Sequence, residues 1–209
     1  FERGREHRVL LFRLAAVCFD QPHMNDLLRL ARAHGDVEIT GIADEHPDRM
    51  QSAIAECSIP PEKVYTDYRA CLAAAHADLI LLCPRTADHA LWTERVAPFN
   101  AHVLIEKPFA DSLADADRMI AALAATGKQL IINWPLRWYP PHITAKRLID
   151  DGTIGDVLEL HFYDGNRGPV GTTDDFSPAA QQTDRARKNR SWWYQQKAAG
   201  GSLQDYLGY

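Results

Sequence analysis

The chain reads as an α/β protein built on a doubly wound parallel sheet, and three observations predict this. Short apolar runs alternate with helical apolar patterns as far as Asn133. Most of these runs are continuously apolar rather than alternating, the signature of strands covered on both faces. The connections between runs and helices are only a few residues long, which suits strand–helix–strand crossovers.

Taken in order, Val9-Leu10-Leu11-Phe12 is the first strand candidate, followed by a loop over Leu14 to Asp20. Pro22 suits the first turn of a helix; Met24, Leu27, Leu28, Leu30 and Ala31 supply its apolar face and Gly35 its stop. Val37 to Ala43 is a second strand that halts at Asp44, and a helix follows from Pro47 to about Cys57. Val64-Tyr65-Thr66 is a short strand, Asp67 to His76 an alanine-rich helix, and Leu79 to Cys83 a buried strand broken by Pro84. His89 to Ala97 forms a helix and Val103 to Ile105 the fifth strand. Ser112-Leu113-Ala114-Asp115 resembles a capping box, opening a helix that runs to Thr126 with Gly127 behind it. Leu130 to Asn133 is the sixth strand.

Beyond Asn133 the character changes, so we divide the chain into 1–133 and 134–209. Trp134, Trp138 and Tyr139 crowd with Arg137 and three prolines, then His142 to Asp150 is helical. Val157 to Phe162 alternates like a half-buried strand, Gly165 to Lys188 reads as a long loop, and Ser191 to Tyr194 is an aromatic anchor. The four tryptophans Trp134, Trp138, Trp192 and Trp193 suit either stacking on a sugar face or anchoring a core. Leu203 to Tyr209 looks like the start of a helix.

The totals narrow the class. At 209 residues the chain is long enough for a sizeable core, and 46% hydrophobic with 24% charged residues is a globular composition. A net charge of −5 argues against nucleic acid as a partner. Cys18, Cys57, Cys71 and Cys83 are scattered through apolar segments without a C-x-x-C pair, so reduced thiols in a cytoplasmic protein are expected and no metal site is. Arg3, Arg5 and Arg8 ahead of Val9 to Phe19 imitate a signal peptide, but Arg13 interrupts the run, no small-x-small site follows, and the run is too short for a membrane span. The chain begins at Phe1 rather than Met, so its start is expected to be trimmed or incomplete.

One stretch draws the chemistry together. Val103 to Ile105 ends in Glu106-Lys107-Pro108, a carboxylate, an amine and a proline at the carboxyl end of a buried strand. In open α/β sheets that end is where ligands bind, so Lys107 fits either an ammonium that meets a substrate hydroxyl or carbonyl or a surface lysine in a strand-to-helix loop. Asp44, closing the second strand, fits either a plain helix entry or a carboxylate that hydrogen-bonds adenosine ribose hydroxyls and repels a 2′-phosphate, and the second would favour NAD over NADP. A pyrophosphate seat normally needs G-x-G-x-x-G, whereas Leu14 to Asp20 has no glycine; Ala15 and Ala16 are the small residues offered for close approach, and Asp20 is a poor neighbour for a phosphate. Pro84, Arg85 and His89, after the fourth strand, suit either an ordinary strand-to-helix turn or a loop lying along the nicotinamide half of a dinucleotide. Asp205 and Tyr209, four apart behind Gly200-Gly201, share a helix face that fits either a proton relay or a capping aspartate and a core tyrosine.

Taken together these residues resemble the Gfo/Idh/MocA oxidoreductase family. The matching pieces fall in the family's order: the strand ending at Asp44, Pro84 with His89, Glu106-Lys107-Pro108, Arg137 with Pro140, Gly152-x-x-Gly155, and Gly200-Gly201 followed by Asp205 and Tyr209. The resemblance implies a Rossmann domain over 1–133, then over 134–209 the beginning of an α+β domain with an open, mostly antiparallel sheet. It implies hydride transfer between nicotinamide and a sugar, polyol or related cyclic alcohol, with NAD as cofactor and NADP left open. It also implies that Lys107 polarises the substrate oxygen, that Asp205 orients the sugar and that Tyr209 is the acid/base. Ala15, Ala16, Asp44, Pro84, Arg85, His89, Glu106, Lys107 and Arg137 would then hold the cofactor. A tyrosine with an ordinary pKa of about 10 needs a nearby cation such as Lys107 to act at neutral pH. Family members continue well past the point matching Tyr209, so the chain is expected to be a fragment of a longer, homo-oligomeric protein, a dimer or tetramer. Two alternatives stay open: a relative that recycles NAD while hydrolysing or eliminating glycosides, and a non-catalytic regulator that binds a nucleotide or sugar.

Overall fold

The computed structural model describes residues 11–161 and 185–198. It divides into two compact units, Phe1–Ile132 and Asn133–Tyr209.

The first unit is built on strand β1, Phe12–Phe19. This corrects the expected first strand at Val9 to Phe12, because Leu14 to Phe19 form the strand instead of a loop. The reason lies at the ends of the run. Arg13 stands at the amino end, half exposed, where its guanidinium pairs with Asp78 at 2.8 Å. It therefore closes the apolar run at the sheet's edge without breaking it. Leu14 through Phe19 are all buried, and full burial of a large apolar side chain is worth roughly 1.5–3 kcal/mol. That gain draws the run into the centre of the sheet.

Five further strands follow, β2 (Val37–Ala43), β3 (Val64–Tyr65), β4 (Leu79–Cys83), β5 (His102–Glu106) and β6 (Leu130–Asn133), in the order β3-β2-β1-β4-β5-β6. The pairs β1–β2, β1–β4, β2–β3 and β4–β5 run parallel. Chain order reverses between β1 and β4, which opens a crevice at the carboxyl ends of those strands.

The strands alternate two cores through one sheet, as a side-chain period of two requires. Leu14, Ala16, Leu81 and Cys83 face one layer, where helices α1 (His23–Ala33) and α2 (Gln51–Cys57) contribute Met24, Leu28, Ala53 and Cys57. Ala15, Val17, Ile80 and Leu82 face the other, packed by α3 (Tyr68–Ala75), α4 (His89–Val96) and α5 (Leu113–Ala124) through Cys71, Leu72, Val96, Met119 and Leu123. Local chemistry starts the helices: the Asp67 carboxylate accepts from the Arg69 N–H to cap α3, and Ser112 Oγ accepts from the Asp115 N–H to cap α5. Gly41 is the one place where β2 must lack a side chain, since a Cβ there would lie 2.8 Å from Cys71 Sγ of α3.

In the second unit, a turn over Pro135–Trp138 leads to helix α6, Pro140–Asp150, with Pro140 supplying its fixed φ at the first helical position. Two expectations fail here. Val157 to His161 form no strand, and Leu158 is 94% exposed, so the alternation has no sheet face to bury. Positions 185–188, expected to be loop, belong to a short helical stretch over 185–190. The aromatic anchor is a turn over Trp192–Tyr194, with the Trp193 and Tyr194 rings edge to face at 4.8 Å. No helix among the described residues is long and apolar enough to cross a membrane.

Candidate active site

The crevice is lined by the loops that leave β1, β2 and β4. Where β1 meets β4, the register shifts between Val17 and Phe19, and Cys18 takes a left-handed φ of 66°. An L-residue there carries a steric cost of about 1–2 kcal/mol that glycine escapes. Cys18 thus stands at the position where a glycine was sought. Ala15 and Ala16, assigned to the phosphate loop from sequence, are correspondingly corrected: both lie inside the β1 ladder at 0% exposure, opposite Gly41 and Ile42. The chain leaves the sheet only at Asp20.

Asp44, at the carboxyl end of β2, is buried against the β1 loop. One oxygen accepts from the Phe19 N–H at 2.6 Å; the other accepts from the His46 N–H at 2.8 Å and lies 3.6 Å from Arg49 Nη1. Gln21 ties the loop to β4: its N–H donates to the Cys83 carbonyl at 3.1 Å and its side-chain amide to the Pro84 carbonyl at 2.9 Å. Asp20 gathers cations and donors from all three loops. Arg49 Nη1 donates to Oδ1 at 2.6 Å, while Oδ2 accepts from the Arg85 N–H and from the Cys18 thiol, both at 3.3 Å. Arg85 itself is drawn to Asp88, with Nε at 2.8 Å.

Further along the rim, β5 ends in Glu106, 1% exposed, and Lys107, 4% exposed, joined to Pro108 by a cis bond. His23, in the first turn of α1, reaches Glu106 Oε2 at 3.3 Å. His89 opens α4 at 0% exposure, its Nδ1 3.2 Å from the Phe109 carbonyl, so that nitrogen carries the proton. Burial holds the His89 imidazole below its ordinary pKa of 6.5, against the opposing pull of that carbonyl. Burial likewise raises the thiols of Cys18, Cys71 (to about 12) and Cys83, so none is an activated nucleophile; all four cysteines are free and buried.

Of the residues singled out from sequence, Asp44, Pro84, Arg85, His89, Glu106 and Lys107 all belong to the loops or strand ends on the carboxyl rim of the first unit. Arg137 lies in the second unit, exposed, its guanidinium 5.8 Å from the Trp138 ring centre. Asp205 and Tyr209 lie outside the described residues. Sequence reading missed Cys18, Gln21, His23 and Arg49. The signal that finds the first three is the unbroken apolar run Leu14 to Phe19, which moves the end of β1 to Asp20. Among the described residues no group of three or more His, Cys, Asp or Glu is arranged to hold a metal ion.

Residues 17–134 match the profile of an oxidoreductase family with an NAD-binding Rossmann fold. The chain is 29% identical over 136 residues to inositol 2-dehydrogenase of Salmonella typhimurium strain LT2, covering 65% of this chain and 40% of that one. It is 31% identical over 118 residues to D-apiose dehydrogenase of Paraburkholderia graminis, covering 56% of this chain and 31% of that one. The chain thus spans well under half the length of these relatives. In fold it is similar to the WlbA dehydrogenase from Bordetella pertussis, crystallised with NADH and UDP-GlcNAcA, with a TM-score of 0.60, 25% identity, and coverage of 68% of this chain and 42% of that one.

Proposed function

The chain belongs to the Gfo/Idh/MocA oxidoreductase family, and from that premise we propose that it carries the nucleotide-binding and catalytic-lysine part of an NAD-dependent oxidoreductase acting on a sugar, polyol or related cyclic alcohol. The observation that carries the reading is Lys107, an amine-bearing side chain only 4% exposed at the carboxyl end of β5, next to a buried Glu106. A lysine is seldom buried without a task, and this rim of a doubly wound sheet is where ligands bind. The strand order, the carboxylate of Asp44 at the end of β2 and the Pro84 loop after β4 suit the nucleoside portion of NAD. The pyrophosphate seat is less well matched, because the residue standing in it is Asp20.

When bound, nicotinamide supplies the hydride acceptor. In this reading the chain's own residues do the rest. Lys107 donates hydrogen bonds to the hydroxyl oxygen of the substrate and stabilises the negative charge that grows there as its proton is withdrawn and before hydride departure turns it into a carbonyl. Glu106 and His23 hold the end of β5 against the first turn of α1 and so fix the lysine's backbone. The resemblance gives Tyr209 the role of taking the hydroxyl proton and Asp205 that of orienting the sugar; both lie outside the described residues. The named relatives act on inositol and D-apiose by their titles, which supports a polyhydroxylated substrate.

Lys107→Ala tests the reading. With a panel of polyols and NAD, NADH formation should fall by about a thousandfold, in the range set by losing one preorganised charge-stabilising donor. The dissociation constant for NAD should change by less than about threefold, since Lys107 is one of several residues assigned to the cofactor and its charge acts chiefly on the substrate oxygen. Wild-type turnover in the variant would remove Lys107 from the chemistry. Nucleotide binding without net NADH from any polyol would favour the recycling or regulatory alternatives.

A further inference from the structure

The clasp around Asp20 is the feature that the proposed function does not absorb. Its carboxylate is only partly exposed, with the side chain at 13%, and it is gripped by Arg49 from the loop after β2 at 2.6 Å and by the Arg85 N–H from the loop after β4 at 3.3 Å. The Arg85 side chain follows at 4.0 Å. Three strand-end loops therefore converge on one anion, and the anion belongs to the chain. The bend that holds it comes two residues after the left-handed Cys18 and precedes α1. This is the stretch where a doubly wound sheet presents backbone N–H groups to a dinucleotide's phosphates.

We propose that Asp20 is an internal substitute for the ligand's phosphate and the residue that sets how strongly the crevice discriminates between uncharged nucleosides and phosphorylated ones. The inference rests on the nucleotide-binding reading above and deepens it. A pyrophosphate approaching this bend meets a like charge, and it gains Arg49 and the Arg85 N–H only by displacing Asp20 from them, while the Arg85 guanidinium is held by Asp88 at 2.8 Å. A nucleoside needs no such exchange. The chain consequently binds dinucleotide weakly for a protein of its fold, and the affinity is held down by one carboxylate. Like-charge juxtaposition in a partly desolvated site opposes binding, so relieving it is worth more than about tenfold in affinity.

Asp20→Asn keeps the shape and leaves one amide oxygen, which accepts either from Arg49 or from the Cys18 thiol and the Arg85 N–H but not from both sides, and Asp20→Gly removes the side chain at a partly exposed bend. Far-ultraviolet circular dichroism shows whether each variant keeps the parent fold. Titration calorimetry of wild type and both variants with adenosine, ADP, NAD and inorganic pyrophosphate then reads the discrimination directly. ADP and NAD should bind at least about tenfold more tightly to both variants than to wild type, with adenosine unchanged within about twofold. An ADP-to-adenosine ratio equal in wild type and variants would overturn the role of Asp20 while leaving the cofactor reading in place. Gain of pyrophosphate binding without nucleotide binding in any form of the protein would uphold the role of Asp20 and sink the cofactor reading. Variants that bind neither pyrophosphate nor ADP would overturn the inference.

Discussion

His89 is wholly buried at the start of α4, and its protonation has a price in stability that solution pH exposes. Desolvation lowers its pKa in the folded chain from the ordinary 6.5. The unfolded chain therefore binds a proton first as the medium is acidified. Stability is complete above about pH 6.5 and is lost as pH falls from there toward the folded-state value. In urea unfolding measured from pH 8 to pH 5, wild type should lose stability across that window more steeply than His89→Gln. Parallel pH curves for the two proteins would show that the imidazole is not desolvated in solution. At the rim, the partly buried Asp20 carboxylate is matched to Arg49 at 2.6 Å.

At the level of elements, the contact between β2 and α3 is decided by one missing methyl group. Gly41 faces Cys71 Sγ and Ala75 Cβ, which a Cβ would meet at 2.8 and 3.3 Å. Gly41→Ala should destabilise the chain by about 1–3 kcal/mol, the usual cost of overpacking, measured as a lower denaturation midpoint with an unchanged denaturant slope. Restoring space with Cys71→Ala in the same chain should recover part of that loss, since contacting residues do not add independently. The elements also show what local pattern carried and what it did not. Strands β2, β4 and β6 and the cap of α5 were legible because each depends on its own residues: an apolar run with a breaker, or a Ser before a helix. The start of β1 was not legible, because Arg13 looks like a break until Asp78, distant in sequence, is seen to pair with it. The misplacement carried into the site, moving the phosphate loop onto Ala15 and Ala16.

For the whole molecule, ligand binding and folding are linked. A nucleotide that binds only the folded first unit stabilises it by about 2.7 kcal/mol at a hundred times its dissociation constant. Thermal unfolding with increasing NAD should therefore rise continuously in midpoint, and at a fixed NAD concentration the rise should be larger for Asp20→Asn than for wild type. A midpoint insensitive to NAD in both proteins would argue that the crevice holds no dinucleotide. The sequence by itself determined the α/β class, the alternation that builds a parallel sheet, Asp44 at the end of β2 and Lys107 at the end of β5, because hydrophobic period, caps and strand-terminal polar residues are local. Only the tertiary structure decided that Cys18 takes the left-handed bend and that Asp20 sits clasped by Arg49 and Arg85. Those facts depend on loops from three strands meeting in space, and no local pattern encodes such a meeting.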